Sequence, residues 1–273
     1  MKFTAIRAAA LTSLAAIFAG QAAAQTPAAA PAAAPAAAAP AAAADPLSFN
    51  IGLTTNYKFR GQDQHLTRKS QIKPALQGGF DYVSPSGFYV GNWNSTVSFR
   101  DPNNNKANLE IDLYGGYKFN VGEIGVDVGA LTYLYPGANK ANTTELYAAG
   151  SYGPVTVKYS STVSKGYFGL GAFNGEGRRT GYLNLALSQE VAPKITLKAS
   201  IGQTLFRSVV NDAGVPDYTD YSLGAVYDFG DGLTLLGAVQ GGTKKDSFLY
   251  SPNGTDTRSA NRTTLLFTLS KAL

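Results

Sequence analysis

The chain has 273 residues with no cysteine, one histidine and one methionine, which excludes disulfides, thiolate metal sites and clusters of soft metal ligands. Only 15% of its residues are charged, well below the quarter or so usual for a soluble enzyme, while Tyr (16), Phe (14) and Gly (30) are abundant. The net charge of +5 comes from cations scattered singly among acids, with no basic run or basic helix, and this excludes a nucleic-acid partner.

Residues 1–24 read as a secretory signal. Lys2 and Arg7 precede an apolar run over 8–19, and Ala22, Ala23 and Ala24 fit a small-x-small cleavage pattern that starts the mature chain at Gln25. The apolar run is too short to cross a bilayer comfortably as a helix. Loss of Lys2 and Arg7 takes the net charge from +5 to +3. Residues 25–46 are almost wholly Ala and Pro. Recurrent Pro blocks a stable helix and nothing there can build a core, so this stretch is expected to be a semi-extended periplasmic spacer.

From 47 to 273 the pattern changes. No run reaches the roughly eighteen apolar residues a spanning helix needs. Instead, stretches of about ten to thirteen residues alternate apolar with polar side chains. The first strand, SFNIGLTTNYKFRG, puts Phe49, Ile51, Leu53, Thr55, Tyr57 and Phe59 on one face, and Asn50, Gly52, Thr54, Asn56, Lys58 and Arg60 on the other. The fourth places Leu109, Ile111, Leu113, Tyr117 and Phe119 opposite Glu110, Asp112, Tyr114 and Lys118. Later strands repeat the scheme: Ile124, Val126 and Val128 against Asp127, Val155, Val157 and Tyr159 against Lys158, Ile195, Leu197 and Ile201 against Lys198, and Tyr221, Leu223, Tyr227 and Phe229 against Asp220 and Asp228.

The connections alternate in length. Long ones are read at 61–70, 101–106, 134–142, 164–177, 207–217 and 244–260, and tight ones at 84–86, 120–121, near 153, at 191–192 and at 230–231. A soluble sandwich has no reason to sort its loops this way. A transmembrane β-barrel does, with short periplasmic turns at one end and longer outer loops at the other. The expected fold is therefore all-β, a closed antiparallel barrel of about twelve strands with both termini on the short-turn side.

Charge facing lipid near the midplane costs a few kcal/mol, so the charged faces belong inside. The lining candidates are Lys58, Arg60, Lys73, Arg100, Lys118, Lys158, Lys198 and Arg262 among the bases, and Asp81, Glu110, Asp112, Asp127, Glu145, Asp220 and Asp228 among the acids. Lys58, Arg60 and Arg100, placed near the outer mouth, predict a mild preference for anions at low salt. Tyr57, Phe59, Tyr82, Phe88, Tyr89, Tyr117, Phe119, Tyr152, Tyr159, Tyr227 and Phe229 sit near strand ends and read as interfacial girdles.

The segments NYKFRGQDQ (56–64), PALQGGFDY (74–82), GFYVGNWNS (87–95) and LEIDLYGGYKF (109–119) resemble, in order and spacing, the TorF-like porin family of Gram-negative proteobacteria. The resemblance is clear over about 48–120 and looser beyond. It implies an outer-membrane barrel and a pore, and it carries no catalytic or binding residue onto this chain. The Ala/Pro spacer is an addition to the usual pattern. The last strand, LLFTLSKAL, alternates Leu265, Phe267 and Leu269 as barrel-assembly signals do, but ends in Leu273 rather than an aromatic residue.

Catalytic, cofactor and metal sites are not expected. His65 in the first loop, with Ser70 and Asp63 nearby, is read as a solvated histidine rather than the base of a lipid-modifying enzyme. Asp101, Asn103 and Asn105 echo the start of a calcium loop, but Lys106 stands where that loop needs Gly and no Glu follows at its twelfth position, so turn chemistry explains them better. The Gly-rich stretch 166–177 lacks the Lys and following helix of a phosphate loop, and is read as an outer or inward-folded loop ending in the solvated pair Arg178 and Arg179. The function these features point to is passive diffusion of small polar solutes across an outer membrane. The alternatives are a structural or adhesive barrel with partner-binding outer loops and, last, an outer-membrane enzyme. The expected partners are outer-membrane lipid and lipopolysaccharide, the barrel-assembly machinery through the C-terminal strand, and the solutes themselves.

Overall fold

A computed structural model describes residues 46–172, 174–252 and 256–273. The expected signal (1–24) and all but the last residue of the spacer (25–46) lie outside the described residues.

Twelve strands form one closed antiparallel barrel. They are β1 (Leu47–Thr54), β2 (Ala75–Val83), β3 (Phe88–Arg100), β4 (Lys106–Val121), β5 (Ile124–Leu134), β6 (Thr143–Tyr152), β7 (Val155–Thr162), β8 (Gly181–Ala192), β9 (Ile195–Leu205), β10 (Tyr218–Gly230), β11 (Leu233–Gly242) and β12 (Thr264–Ala272). Each strand pairs with its neighbours in sequence, and β12 pairs with β1, with Ala272 opposite Asn50 and Leu269 opposite Leu53. Closure leaves no free sheet edge, so the backbone groups of the wall bond to one another, which a lipid environment demands.

Side chains alternate as expected. Leu53, Leu113, Leu146, Ile201, Leu223 and Leu265 are exposed on the outside, while Gln77, Ser95, Glu110, Asp127, Lys158, Asn184 and Thr268 are buried within. No helix among the described residues is long and apolar enough to cross a membrane, and the closed sheet presents an apolar belt on its outside.

The tight connections fall at residues 84–87, 122–123, 153–154, 193–194 and 231–232. Two of the expected turns therefore move by about two residues, because β4 and β8 run on to Val121 and Ala192. Asp231 and Gly232 both have positive φ, the conformation a two-residue hairpin needs to match strand twist. The long connections span 55–74, 101–105, 135–142, 163–180, 206–217 and 243–263, all at the other end.

Of the eleven girdle candidates, Tyr82, Phe88, Tyr117, Phe119, Tyr152, Tyr159, Tyr227 and Phe229 are exposed. Tyr57, Phe59 and Tyr89 are not: they are buried inside the barrel. For Tyr89 the cause is parity, since it faces inward between the outward Phe88 and Val90. For Tyr57 and Phe59 the cause is a departure of the chain from the wall.

Candidate functional site: the barrel interior

The expected first strand stops six residues early. After Thr54 the chain leaves the wall, and from Asn56 to Gly61 every residue is buried, whichever parity it has. A strand with one face in lipid cannot do that. Lys58–Phe59 and Gln62–Asp63 instead pair as a short hairpin folded into the lumen. Arg60 (φ 47°) and Gly61 (φ 75°) form its tip, two consecutive left-handed residues that make a type I′-like turn. Glycine is obligatory at the second position, where a Cβ would lie 2.6 Å from Gly241 O and 2.7 Å from the Asp220 Cβ. The tip is thus wedged against β10 and β11.

Arg60 crosses the lumen to β6. Its Nη2 and Nη1 donate to the two carboxylate oxygens of Glu145 at 2.6 and 2.9 Å, and Nη1 also donates to the Tyr167 hydroxyl. The guanidinium lies 4.0 Å from the Tyr182 ring centroid, on β8. Both ion-pair side chains are almost wholly buried, at 3% and 2% exposure. A left-handed arginine costs about 1–2 kcal/mol, and this bidentate contact holds it there.

The hairpin's apolar side fills the space toward β3–β6. Tyr57 packs edge-on against Trp93, and Phe59 against Tyr133 and against Phe168 from the loop 163–180. Val97, Leu131 and Tyr147 complete this cluster. A second cluster of Tyr167, Phe206, Val210 and Tyr218 lies beside it, with Phe168 touching both. The Gly-rich loop therefore folds inward through Tyr167 and Phe168, while Arg178 and Arg179 remain exposed.

The hairpin's polar side converges on Asp63. Lys58 Nζ stands 3.0 Å from one carboxylate oxygen, and Lys73 Nζ (3.3 Å) and Arg262 Nε (2.9 Å) approach the other. Burial alone would raise the Asp63 carboxyl, but Lys58, Lys73 and Arg262 outweigh it and hold the group below its ordinary range. Burial also pulls the Lys58 ammonium down to about 8, against the opposing pull of Asp63. The loop is stitched to the wall by Thr67 N donating to Ser98 O, Ser98 N to Gln64 O and Asp63 N to Ala260 O. His65, expected in solvent, is 1% exposed between this loop and β3, and neither ring nitrogen has a hydrogen-bond partner among the described residues. It is held neutral: burial, Arg68 and Lys73 push it down to about 4.

The remaining lining candidates are distributed around the wall. Glu110 and Asp112 share the inner face of β4. Glu110 accepts from the Tyr135 hydroxyl at 3.2 Å, and Asp112 is fully buried with no hydrogen bond to either carboxylate oxygen among the described residues. Asp127 accepts from the Tyr89 hydroxyl at 2.7 Å, Asp81 from Tyr114 at 2.6 Å and Asp220 from Tyr182 at 3.2 Å. Lys118 lies over the Tyr89 ring and Lys158 over Tyr147, at 4.7 and 4.1 Å from the centroids. Lys198 is half-buried on the inner face of β9.

Two candidates serve turns instead. Asp228 accepts from Gly230 N at 2.8 Å at a bulge beside the 231–232 turn. Arg100 is exposed at the end of β3, past a bulge between Thr96 and Phe99, and donates to Asn104 O at 2.7 Å. Arg100 is therefore a rim residue and not part of the interior, because at a strand end solvent and a loop carbonyl satisfy it more cheaply than burial. Asp101, by contrast, organises its loop as an Asx turn, accepting from Asn103 N and Asn105 N at 2.9 Å.

The interior aromatics, Trp93, Tyr133, Tyr135, Tyr147, Tyr167 and Tyr182, were not among the sequence candidates. For the strand residues Trp93, Tyr133, Tyr147 and Tyr182 the signal is an aromatic side chain at the polar parity, as Trp93 stands between Gly91 and Ser95; Tyr135 and Tyr167 lie in loops and carry no such signal.

No curated protein matches the chain. Among solved structures, it resembles the NanC porin (10% identity, 83% of this chain and 98% of that one, TM-score 0.47) and the KdgM porin (8%, 82% and 97%, 0.48). It also resembles Pseudomonas aeruginosa OccD3 (11%, 85% and 66%, 0.38). At these identities and TM-scores the likeness assigns neither a role nor a solute. A family model covers the whole barrel, matching residues 37–273, and the chain belongs to that family, the bacterial proteins of unknown function designated Gcw_chp.

Proposed function

We propose that this protein is an outer-membrane channel for passive diffusion of small polar solutes, of the TorF-like porin type, with an interior narrowed by the 55–74 loop. One observation carries the reading: the wall turns its charged and amide side chains inward in strand after strand while its outside is an apolar belt. Inert filling of a twelve-strand barrel would not need Asp81, Lys118, Asp127, Lys158, Lys198 and Asp220 distributed around the wall. The cleaved signal, the periplasmic spacer and insertion through the C-terminal strand complete this proposal.

The inserted hairpin favours a second reading, a structural or adhesive barrel whose filled lumen does not conduct. Lipid-modifying chemistry has less support, since neither ring nitrogen of His65 is hydrogen-bonded to a hydroxyl or a carboxylate among the described residues.

Incorporation of the purified full-length protein into planar bilayers separates the two main readings. Unitary current steps support the channel. A silent bilayer, with a barrel that still migrates differently on gels before and after boiling, supports the structural role.

A further inference from the structure

β12 neighbours β1, so the loops that flank this seam, 55–74 and 243–263, lie side by side. Together they carry nine cations (Lys58, Arg60, Arg68, Lys69, Lys73, Lys244, Lys245, Arg258 and Arg262) against three acids (Asp63, Asp246 and Asp256). That surplus of six exceeds the net charge of +5 for the entire chain, so the remainder is −1 overall. Three of the nine cations, Lys58, Arg60 and Lys73, are buried in the lumen; the other six, against Asp246 and Asp256, leave the rim itself with a surplus of four.

Within the surplus is a built constellation. Asp63, 4% exposed, already shows how it handles an anion: three cations and the Tyr250 hydroxyl converge on its carboxylate. One carboxylate against three cations leaves two positive charges in excess. Lys73 is buried beneath, bonded to Asp63 and Tyr250. Arg262 is the partly exposed member, with a side chain 22% exposed; its Nη1 donates to Gln71 Oε1, and its Nη2 is buried with no hydrogen-bond partner among the described residues. Arg258 spends a donor on the Lys69 carbonyl and Arg68 one on the Pro74 carbonyl, neutral acceptors that fix both guanidiniums on the same rim.

We propose that this seam is a docking site for a phosphate group, held by Arg258 and by the Nη1 of Arg262 in place of the Gln71 amide oxygen, above the buried Lys73 ammonium and Asp63. A dianion matches the double excess, and guanidinium forks suit tetrahedral oxyanions. The phosphate has two possible sources, a phosphorylated solute arriving from outside or, if the barrel sits in an outer membrane, the phosphates of lipopolysaccharide beside it. The site does not depend on whether the barrel conducts.

The test uses full-length barrel folded in lipopolysaccharide-free detergent, titrated with inorganic pyrophosphate by calorimetry and, in a second arm, with purified lipopolysaccharide. The variants are Arg262→Gln with Arg258→Gln, and Lys244→Gln on the same loop as a control for the general field. Saturable binding in either arm, weakened at least tenfold in the double variant and less than twofold in the control, supports the site. Pyrophosphate binding assigns it to a soluble solute, and binding of lipopolysaccharide alone assigns it to the lipid. Absence of binding in both arms overturns it, as does an equal loss in the Lys244→Gln control. A silent bilayer with retained pyrophosphate binding would remove the channel and leave this site standing.

Discussion

Glu145→Gln is the substitution that most directly probes the inserted hairpin. In the wild type both carboxylate oxygens of Glu145 accept from Arg60, at 2.6 and 2.9 Å, and both partners are buried. Removing one member of a buried ion pair costs about 3–5 kcal/mol, chiefly because the other charge is left uncompensated. Part of that is recovered here. The Arg60 guanidinium keeps the Tyr182 face at 4.0 Å and the Tyr167 hydroxyl, a cation–π and hydrogen-bond remainder on the order of 1–2 kcal/mol. The net loss is about 2–3 kcal/mol, which at 1.4 kcal/mol per decade shifts the ratio of withdrawn to inserted hairpin by roughly 30–150-fold.

Single-channel recording reads that ratio as open probability and as the frequency of the largest conductance level. Glu145→Gln and Arg60→Gln should each raise both. The double variant should resemble either single, because the two changes remove one shared interaction. Equal conductance and open probability in wild type and both singles, with all barrels still heat-modifiable on gels, would refute the idea that this pair holds the hairpin in the lumen.

Other substitutions test neighbouring parts of the argument. Gly61→Ala places a Cβ 2.6 Å from Gly241 O at a residue with φ of 75°, so it should expel the tip and raise conductance without altering barrel assembly; unchanged currents would contradict the wedge. His65 is held near pKa 4 in the packed loop against 6.5 when released, so between those values the released loop takes up a proton that the packed loop refuses. Packing should therefore weaken as pH falls from about 6.5 to 4, by up to ~1.4 kcal/mol per unit, and His65→Asn should flatten the dependence of loop hydrogen exchange on pH in that window. Leu113→Arg puts a charge on the exposed outer face of β4 and should destabilise the folded barrel in lipid by about 2–4 kcal/mol; a shift below ~1 kcal/mol in denaturant titration would mean that this belt does not meet hydrocarbon.

The wall was legible in the sequence because a barrel strand in lipid obeys one rule, period two with apolar side chains out, and β4 follows it from Leu109 to Phe119. Loop lengths were legible for a similar reason, since Asp231-Gly232 and Gly122 are turn residues by conformation. The hairpin was not. The run from Asn56 to Arg60 alternates in the same way as β1, and period two is equally the signature of a two-residue hairpin turned inward. Only Arg60-Gly61 differs, a pair that can occupy consecutive left-handed positions, and that signal is weak beside the alternation. His65 shows the converse failure. A polar residue in a long loop reads as solvated, yet the loop packs onto Ser98 and the lumen, and nothing local to QDQHLT records that contact. Arg100 failed for a third reason, because the bulge between Thr96 and Phe99 is set by pairing with β4 and leaves no mark in β3 itself.

The hairpin also changes what the charges of the interior predict. The wall alone carries six inward acids, Asp81, Glu110, Asp112, Asp127, Glu145 and Asp220, against three inward cations, Lys118, Lys158 and Lys198. The inserted loop adds Lys58, Arg60 and Lys73 and one acid, Asp63, bringing the interior close to balance. A mild anion preference drawn from Lys58, Arg60 and Arg100 therefore loses its basis: the first two are committed to Asp63 and Glu145, and the third stands at the rim. Withdrawal of the hairpin would uncover a wall with three more acids than cations, facing the path from strands all around the barrel. A barrel in which 58–63 is replaced by a Gly/Ser link and Lys73 by Gln should conduct with a clear preference for cations, shown by its reversal potential in a salt gradient at low ionic strength. Wild type should pass less current with little selectivity. An anion-selective deletion barrel would mean that the wall acids are protonated or turned away from the path, and the balance drawn here between wall and hairpin would fail.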